Sequence, residues 1–146
     1  MAESDKTILL VEDDENDVFF MRRALQKANL SLSVHVVMDG QAALDYLSGT
    51  GDYHDRARYP LPVVVFLDLK LPYVHGFEVL GWIRSQPTLR GLPIVILTSS
   101  PEERDRRQAE SLGAKAYCVK PPTREMLLDA LSFLSVNGLS SAPSTL

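Results

Sequence analysis

The sequence predicts an α/β domain: an open, parallel, doubly wound sheet with helices on both faces. Three observations carry that expectation. Five short apolar runs alternate with helix-periodic segments, so that strand and helix follow each other five times. Four of those runs are nearly continuous rather than alternating, as strands are when both of their faces are buried. The chain has 146 residues, enough for one such unit with a real core and too few for a second domain.

The runs lie at 7–11 (TILLV), 33–38 (SVHVVM), 63–67 (VVVFL), 94–97 (IVIL) and 116–119 (AYCV). The second is the least continuous and suits a sheet edge. Between the first two, Val18, Met21, Leu25 and Ala28 recur at helical spacing, with Arg22, Arg23 and Lys27 on the other side. A short helix over 41–47 is opened by Asp39 and Gly40. Phe77, Leu80 and Ile83 mark a third helix ending before Pro87. The fourth, 101–112, has a full set of boundary signals: Ser100 as cap, Pro101 in the first turn, Glu103 completing a capping box and Gly113 at the end. Ala109 and Leu112 are its only apolar residues, which predicts loose packing. Leu127, Ala130, Leu131 and Leu134 define the last helix.

Of the two common doubly wound strand orders, the five-stranded flavodoxin-like (βα)5 order 2-1-3-4-5 fits this length. The folded domain is expected over 6–136, with polar tails at 1–5 and 137–146. The connection 48–62 (SGTGDYHDRARYPLP) is long for such a fold and reads as a solvated insertion, with a contact loop as the alternative.

Composition narrows the setting. A net charge of -4 and a pI of about 5.3 provide no basic field, which argues against direct nucleic-acid binding. The single cysteine, Cys118, forms no internal disulfide, and MAESDKT lacks the apolar core of a signal peptide. A cytoplasmic protein is expected. No apolar run reaches membrane-spanning length.

The chemistry gathers at one edge. In an open parallel sheet the ligand site lies outside the carboxyl ends of the strands. There the first run stops on Glu12, Asp13 and Asp14, the third on Asp68, the fourth on Thr98, Ser99 and Ser100, and the fifth on Lys120. Each residue alone is ordinary; Asp14, for instance, suits a cap of the first helix. Together they place carboxylates, a hydroxyl and an ammonium at the ends of four separate strands. Carboxylates so crowded favour a hard divalent cation, Mg2+ best of all, and Lys120 and Thr98 suit an anion bound beside it. The constellation reads as a phosphoryl site.

The segments ILLVEDDENDVFFMRRAL, MDGQAALDYL, LDLKLPYVHGFEVLGWIR, PIVILTSS and LGAKAYCVKP together resemble a response regulator receiver domain over about residues 6–134. That resemblance implies the phosphate-accepting role in two-component signalling. It makes Asp68 the phosphoacceptor and a sensor histidine kinase the donor. It assigns Mg2+, with Mn2+ as a substitute, to Asp13, Asp68 and the Lys70 backbone carbonyl, and to Glu12 through water. It gives Thr98 and Lys120 to the phosphoryl group, makes Tyr117 the aromatic switch partner of Thr98, and makes the Lys120–Pro121 peptide cis.

Departures from the family pattern are modest: His75, Leu71 and Pro122 stand where Asp, Met and an aromatic are frequent. Lys70 and Ser100 occupy positions that tune phosphoryl lifetime in the family. The long 48–62 segment, the short tail and the LDLKLP context are similar to the small single-domain regulators of bacterial and cyanobacterial phytochromes. That narrower likeness implies a phytochrome as the partner kinase and a homodimer through the last helix and C-terminal region.

Three other readings are weaker. A haloacid-dehalogenase-type phosphatase needs an acid where Lys70 stands, so the chain is not expected to be a turnover enzyme. A nucleotide or flavin binder lacks a glycine-rich phosphate loop after the first strand. A protein-interaction module with a relic site would have lost some of these side chains, and none is replaced.

Overall fold

A computed structural model describes residues 6–134. The tails 1–5 and 137–146, and residues 135–136 of the expected domain, lie outside the described residues. Five parallel strands form one sheet in the order β2-β1-β3-β4-β5. They are β1 (Thr7–Val11), β2 (Ser33–Val37), β3 (Val64–Leu67), β4 (Ile94–Thr98) and β5 (Ala116–Val119). The helices are α1 (Glu15–Lys27), α2 (Gly40–Ser48), α3 (Gly76–Ser85), α4 (Glu103–Ser111) and α5 (Arg124–Ala130), the last followed by a 3-10 turn, Ser132–Leu134. The flavodoxin-like order expected from the sequence is the order found.

The continuous apolar runs are explained by two cores, one on each side of the sheet. Successive strand residues point to opposite faces. Ile8, Leu10, Val64, Phe66, Val95 and Leu97 therefore pack with Met21, Leu25 and Leu127 beneath α1 and α5. Leu9, Val11, Val65, Leu67, Ile94 and Ile96 pack with Leu47, Leu80, Ile83 and Ala109 beneath α2, α3 and α4. Each fully buried aliphatic side chain contributes roughly 1.5–3 kcal/mol. β2 lies at the edge and is the least buried strand, matching its weaker run.

Local capping fixes where helices begin. Asp14 Oδ1 accepts the N–H groups of Asn16 and Asp17, and Asp39 caps α2 through Ala42 N–H. His75 and Glu78 form a reciprocal capping box on α3. The expected cap of α4 is corrected: the helix begins at Glu103, and its N-cap Glu102 makes no side-chain cap bond. Ser100 Oγ accepts the Glu102 N–H at 3.3 Å, ahead of the helix, and donates to Asp105 at 2.6 Å, while its carbonyl accepts the Tyr117 hydroxyl at 2.8 Å. The following Pro101 also disfavours helical backbone at Ser100. α4 buries only Ala109, so it is indeed lightly held to the sheet.

The 48–62 segment is largely exposed, as expected of an insertion, yet it is folded against α2. Tyr59 packs edge-on against Tyr53 and Tyr46, Tyr53 lies tilted against Tyr46, and the Tyr46 hydroxyl donates to Pro60 O. Arg56 donates to the carbonyls of Tyr46, Leu47 and Tyr59 at 2.8–3.0 Å. Two of those are carbonyls in the last turn of α2, where the helix runs out of its own i+4 donors; Tyr46 O also accepts the Gly49 N–H at 3.1 Å. The segment is thus a folded brace on α2, at the sheet end opposite the carboxyl edge. Arg56→Met should lower the unfolding free energy by about 2 kcal/mol in urea titration.

Candidate functional site

Strand register brings the site together. Val11 pairs with Leu67 and Thr98 with Val119, so Glu12 sits beside Asp68 and Thr98 sits one strand from Lys120. Backbone bonds hold the strand ends: Glu12 N–H donates to Val37 O, Asp68 N–H to Val11 O, and Lys120 N–H to Thr98 O. The chain runs from β1 to β2 on one side and places β3 on the other. The crevice between β1 and β3 is the switch point at which such sheets bind ligands.

Lys120 spans the crevice. Its Nζ donates to Glu12 Oε1 at 2.6 Å, Asp17 Oδ2 at 2.8 Å and Asp68 Oδ2 at 2.9 Å. Its side chain is 9% exposed, against 2% for Glu12, 8% for Asp68 and 32% for Asp17. Burial alone would lower the lysine pKa, but the three carboxylates outweigh it and raise the value, keeping the ammonium charged. Glu12 moves up to about 7, chiefly through burial and with the Asp68 charge adding to it; the bonds from Lys120 and Asp14 N–H oppose this only in part. Burial thus drives Glu12 and the carboxylate bonds drive Lys120, and the three carboxylates outnumber the one ammonium they surround.

A cation fits that excess. One carboxylate oxygen each from Glu12, Asp13 and Asp68 lie within 4.8 Å of one another, a donor set of hard oxygens suited to Mg2+ or Mn2+. Asp13 is exposed and forms no ion pair among the described residues, so it is available as a ligand. Lys70 is exposed on the loop after β3, and its N–H donates to Asp68 Oδ1 at 3.3 Å. Gly76 closes over the same loop: a Cβ there would strike the Asp68 carbonyl and lie 2.6 Å from Leu69 Cα. The Lys120–Pro121 peptide is cis.

A polar chain leads away from the site toward α4. Thr98 is fully buried, and its Oγ1 accepts the Ser100 N–H at 3.4 Å. Ser100 O accepts the Tyr117 hydroxyl, and the Arg106 guanidinium stacks 4.6 Å from the Tyr117 ring centre. The sequence resemblance paired Thr98 with Tyr117 but did not indicate that Ser100 links them. It missed Asp17 altogether. The available signal was an acid in the first turn of a helix whose preceding loop carries the other acids, which by itself also describes an ordinary helix start.

The sequence model for the response regulator receiver domain matches residues 8–132. The chain belongs to that family. Among solved structures, this receiver is similar to the bacteriophytochrome response regulator RtBRR, with 47% identity and a TM-score of 0.79 over 88% of this chain and 77% of that one. It is also similar to the bacteriophytochrome response regulator AtBRR, with 45% identity and a TM-score of 0.80 over 90% and 93%. Response regulator Rcp1 of Synechocystis sp. is 35% identical over 79% of this chain and 76% of its own. The Mn2+-bound form of Rcp1 superposes with a TM-score of 0.74 at 31% identity, over 94% of this chain and 96% of that one. Among the described residues, no helix of this receiver is long and apolar enough to cross a membrane.

Proposed function

We propose that this receiver takes a phosphoryl group onto Asp68 from the phosphohistidine of a sensor histidine kinase and signals through the surface that changes as a result. The observation that carries this reading is the Lys120 ammonium, 2.9 Å from Asp68 and set beside the Glu12, Asp13 and Asp68 carboxylates. Phosphoryl transfer asks the protein to position groups and neutralise charge. Mg2+, or Mn2+ in its place, held by Asp13, Asp68, the Lys70 carbonyl and Glu12 through water, supplies that neutralisation at the phosphoryl oxygens. An Asp68 carboxylate oxygen forms the new P–O bond while the P–N bond breaks, and the imidazole keeps the bonding pair.

Lys120 then pairs with the transferred group. The Thr98 hydroxyl, whose oxygen already accepts Ser100 N–H, keeps its proton to donate to a phosphoryl oxygen. Ser100, Tyr117 and Arg106 lie between Thr98 and the lightly packed α4, which gives the switch a physical path. Slow hydrolysis of the acyl phosphate resets the site; there is no other turnover.

The donor's approach is supported by α1. Phe19 and Phe20 are exposed, stacked edge-to-face at 5.6 Å, and Phe20 lines a groove of about 480 Å3 with Arg23, Lys27, Pro121 and Arg124. An apolar groove rimmed with cations beside the acceptor suits a helical, acidic partner surface. Similarity to bacteriophytochrome regulators favours a phytochrome as that kinase. A homodimer through α5 and the C-terminal region, and a cytoplasmic setting, complete the proposal.

The test is phosphoryl uptake from a histidine kinase or acetyl phosphate. One phosphoryl group per chain is expected, labile to hydroxylamine, with its uptake abolished when divalent cations are chelated beforehand. Calorimetric titration with Mg2+ should show affinity falling as pH drops below about 7, because Glu12 must give up a proton for the cation to bind. Uptake that persists in excess chelator sinks the reading.

A further inference from the structure

We infer that Asp17 is a positioning residue for Lys120: it holds the ammonium while Asp68 is free and lets go when Nζ takes a phosphoryl oxygen. This rests on Asp68 being the phosphoacceptor. An ammonium has three protons to donate, and all three are committed, to Glu12, Asp17 and Asp68. A fourth acceptor, the phosphoryl group, is reached only by giving one up. Releasing Glu12 would strand a carboxylate that is 2% exposed, which is costly. Asp68 carries the group itself. Asp17 is 32% exposed, in the first turn of α1, and can turn its carboxylate into water. It is therefore the bond that yields.

Two consequences follow for rates. While bound, Asp17 draws Lys120 away from an incoming phosphoryl group and adds negative charge against an anionic donor. After transfer it competes with the phosphoryl oxygens for the same ammonium. Asp17 thus opposes phosphoryl gain and favours phosphoryl loss, and it ties the state of the site to the helix that carries Phe19 and Phe20.

The experiment compares wild type, Asp17→Asn, Asp17→Glu and Asp68→Asn with acetyl phosphate and Mg2+, measuring uptake and then decay after donor removal. Asp17→Asn should gain the group faster and lose it more slowly, each by about two- to fivefold, within the range a partly exposed ion pair spans. Asp17→Glu, which keeps the charge, should move both rates back toward wild type. The lysine 15Nζ resonance of Lys120 without cation gives a readout independent of turnover and should shift in Asp17→Asn. Rates of Asp17→Asn equal to wild type, or slowed in both directions with a lowered melting temperature, overturn the inference. Wild type that takes no label at all removes the functional reading and this inference with it, whereas labelled wild type with unaltered Asp17→Asn removes only the inference.

Discussion

Replacing Asp68 by Asn is expected to abolish phosphoryl uptake completely while leaving the fold intact. The amide keeps an oxygen that can accept the Lys70 N–H and a Lys120 proton, so the crevice geometry is retained. It lacks the carboxylate nucleophile, and no acyl phosphate can form. Stability should stay within about 1 kcal/mol of wild type, because the change removes one of several crowded charges rather than a packing contact. With Asp68 neutral, one influence raising the Glu12 pKa is gone, and that carboxyl should titrate lower than about 7. Mass spectrometry after incubation with kinase and ATP decides the matter: label retained by Asp68→Asn would move the acceptor elsewhere.

Lys120→Met should be the most destabilising change in the site. Methionine preserves the stem but removes the one ammonium among three carboxylates, two of them nine-tenths buried. Removing one partner of a buried pair costs about 3–5 kcal/mol, measurable by urea unfolding near pH 8. The pH dependence follows from the signs. A lysine whose folded pKa is raised contributes stability that is complete below its ordinary 10.5 and lost only as pH climbs through the higher folded value. Neutral pH therefore has the full contribution, and the variant lacks it there. Glu12 has a folded pKa of about 7 against an ordinary 4.5, so the folded state binds the extra proton between those values and falling pH favours it. Lys120 lowers the Glu12 pKa, so without it Glu12 titrates higher still, the variant gains more than wild type from protonation, and its deficit should shrink as pH is lowered from 8 toward 5. A constant deficit across that range would mean that lost packing, not stranded charge, is responsible.

Much of the fold was legible because burial on two faces leaves a mark that residue order alone carries. VVVF and IVIL cannot be strands of a half-exposed sheet, and the parallel order follows from their alternation with helices. The same reasoning placed Glu12, Asp13, Asp68, Thr98 and Lys120 at one edge, since each directly follows or ends a strand. Where the reading failed, side chains had more than one possible partner. Ser100 has the right residue type and spacing for a cap, yet Asp105 and Tyr117 compete for it and α4 starts later. The polar letters of 48–62 indicated exposure but not that Tyr53, Tyr59 and Arg56 fold back on Tyr46 and the last-turn carbonyls of α2.

The sequence by itself determined the strand order, the two-sided core and the set of chemical groups at the carboxyl edge, because strand ends are dictated by local pattern. Only the tertiary structure decided how those groups share protons: that Lys120 spends one of its three donors on Asp17, 103 positions away in the chain, and that Glu12 is buried deeply enough to titrate near neutrality. Hydrogen-bond partnership and desolvation depend on distances between elements, which no one-dimensional spacing encodes.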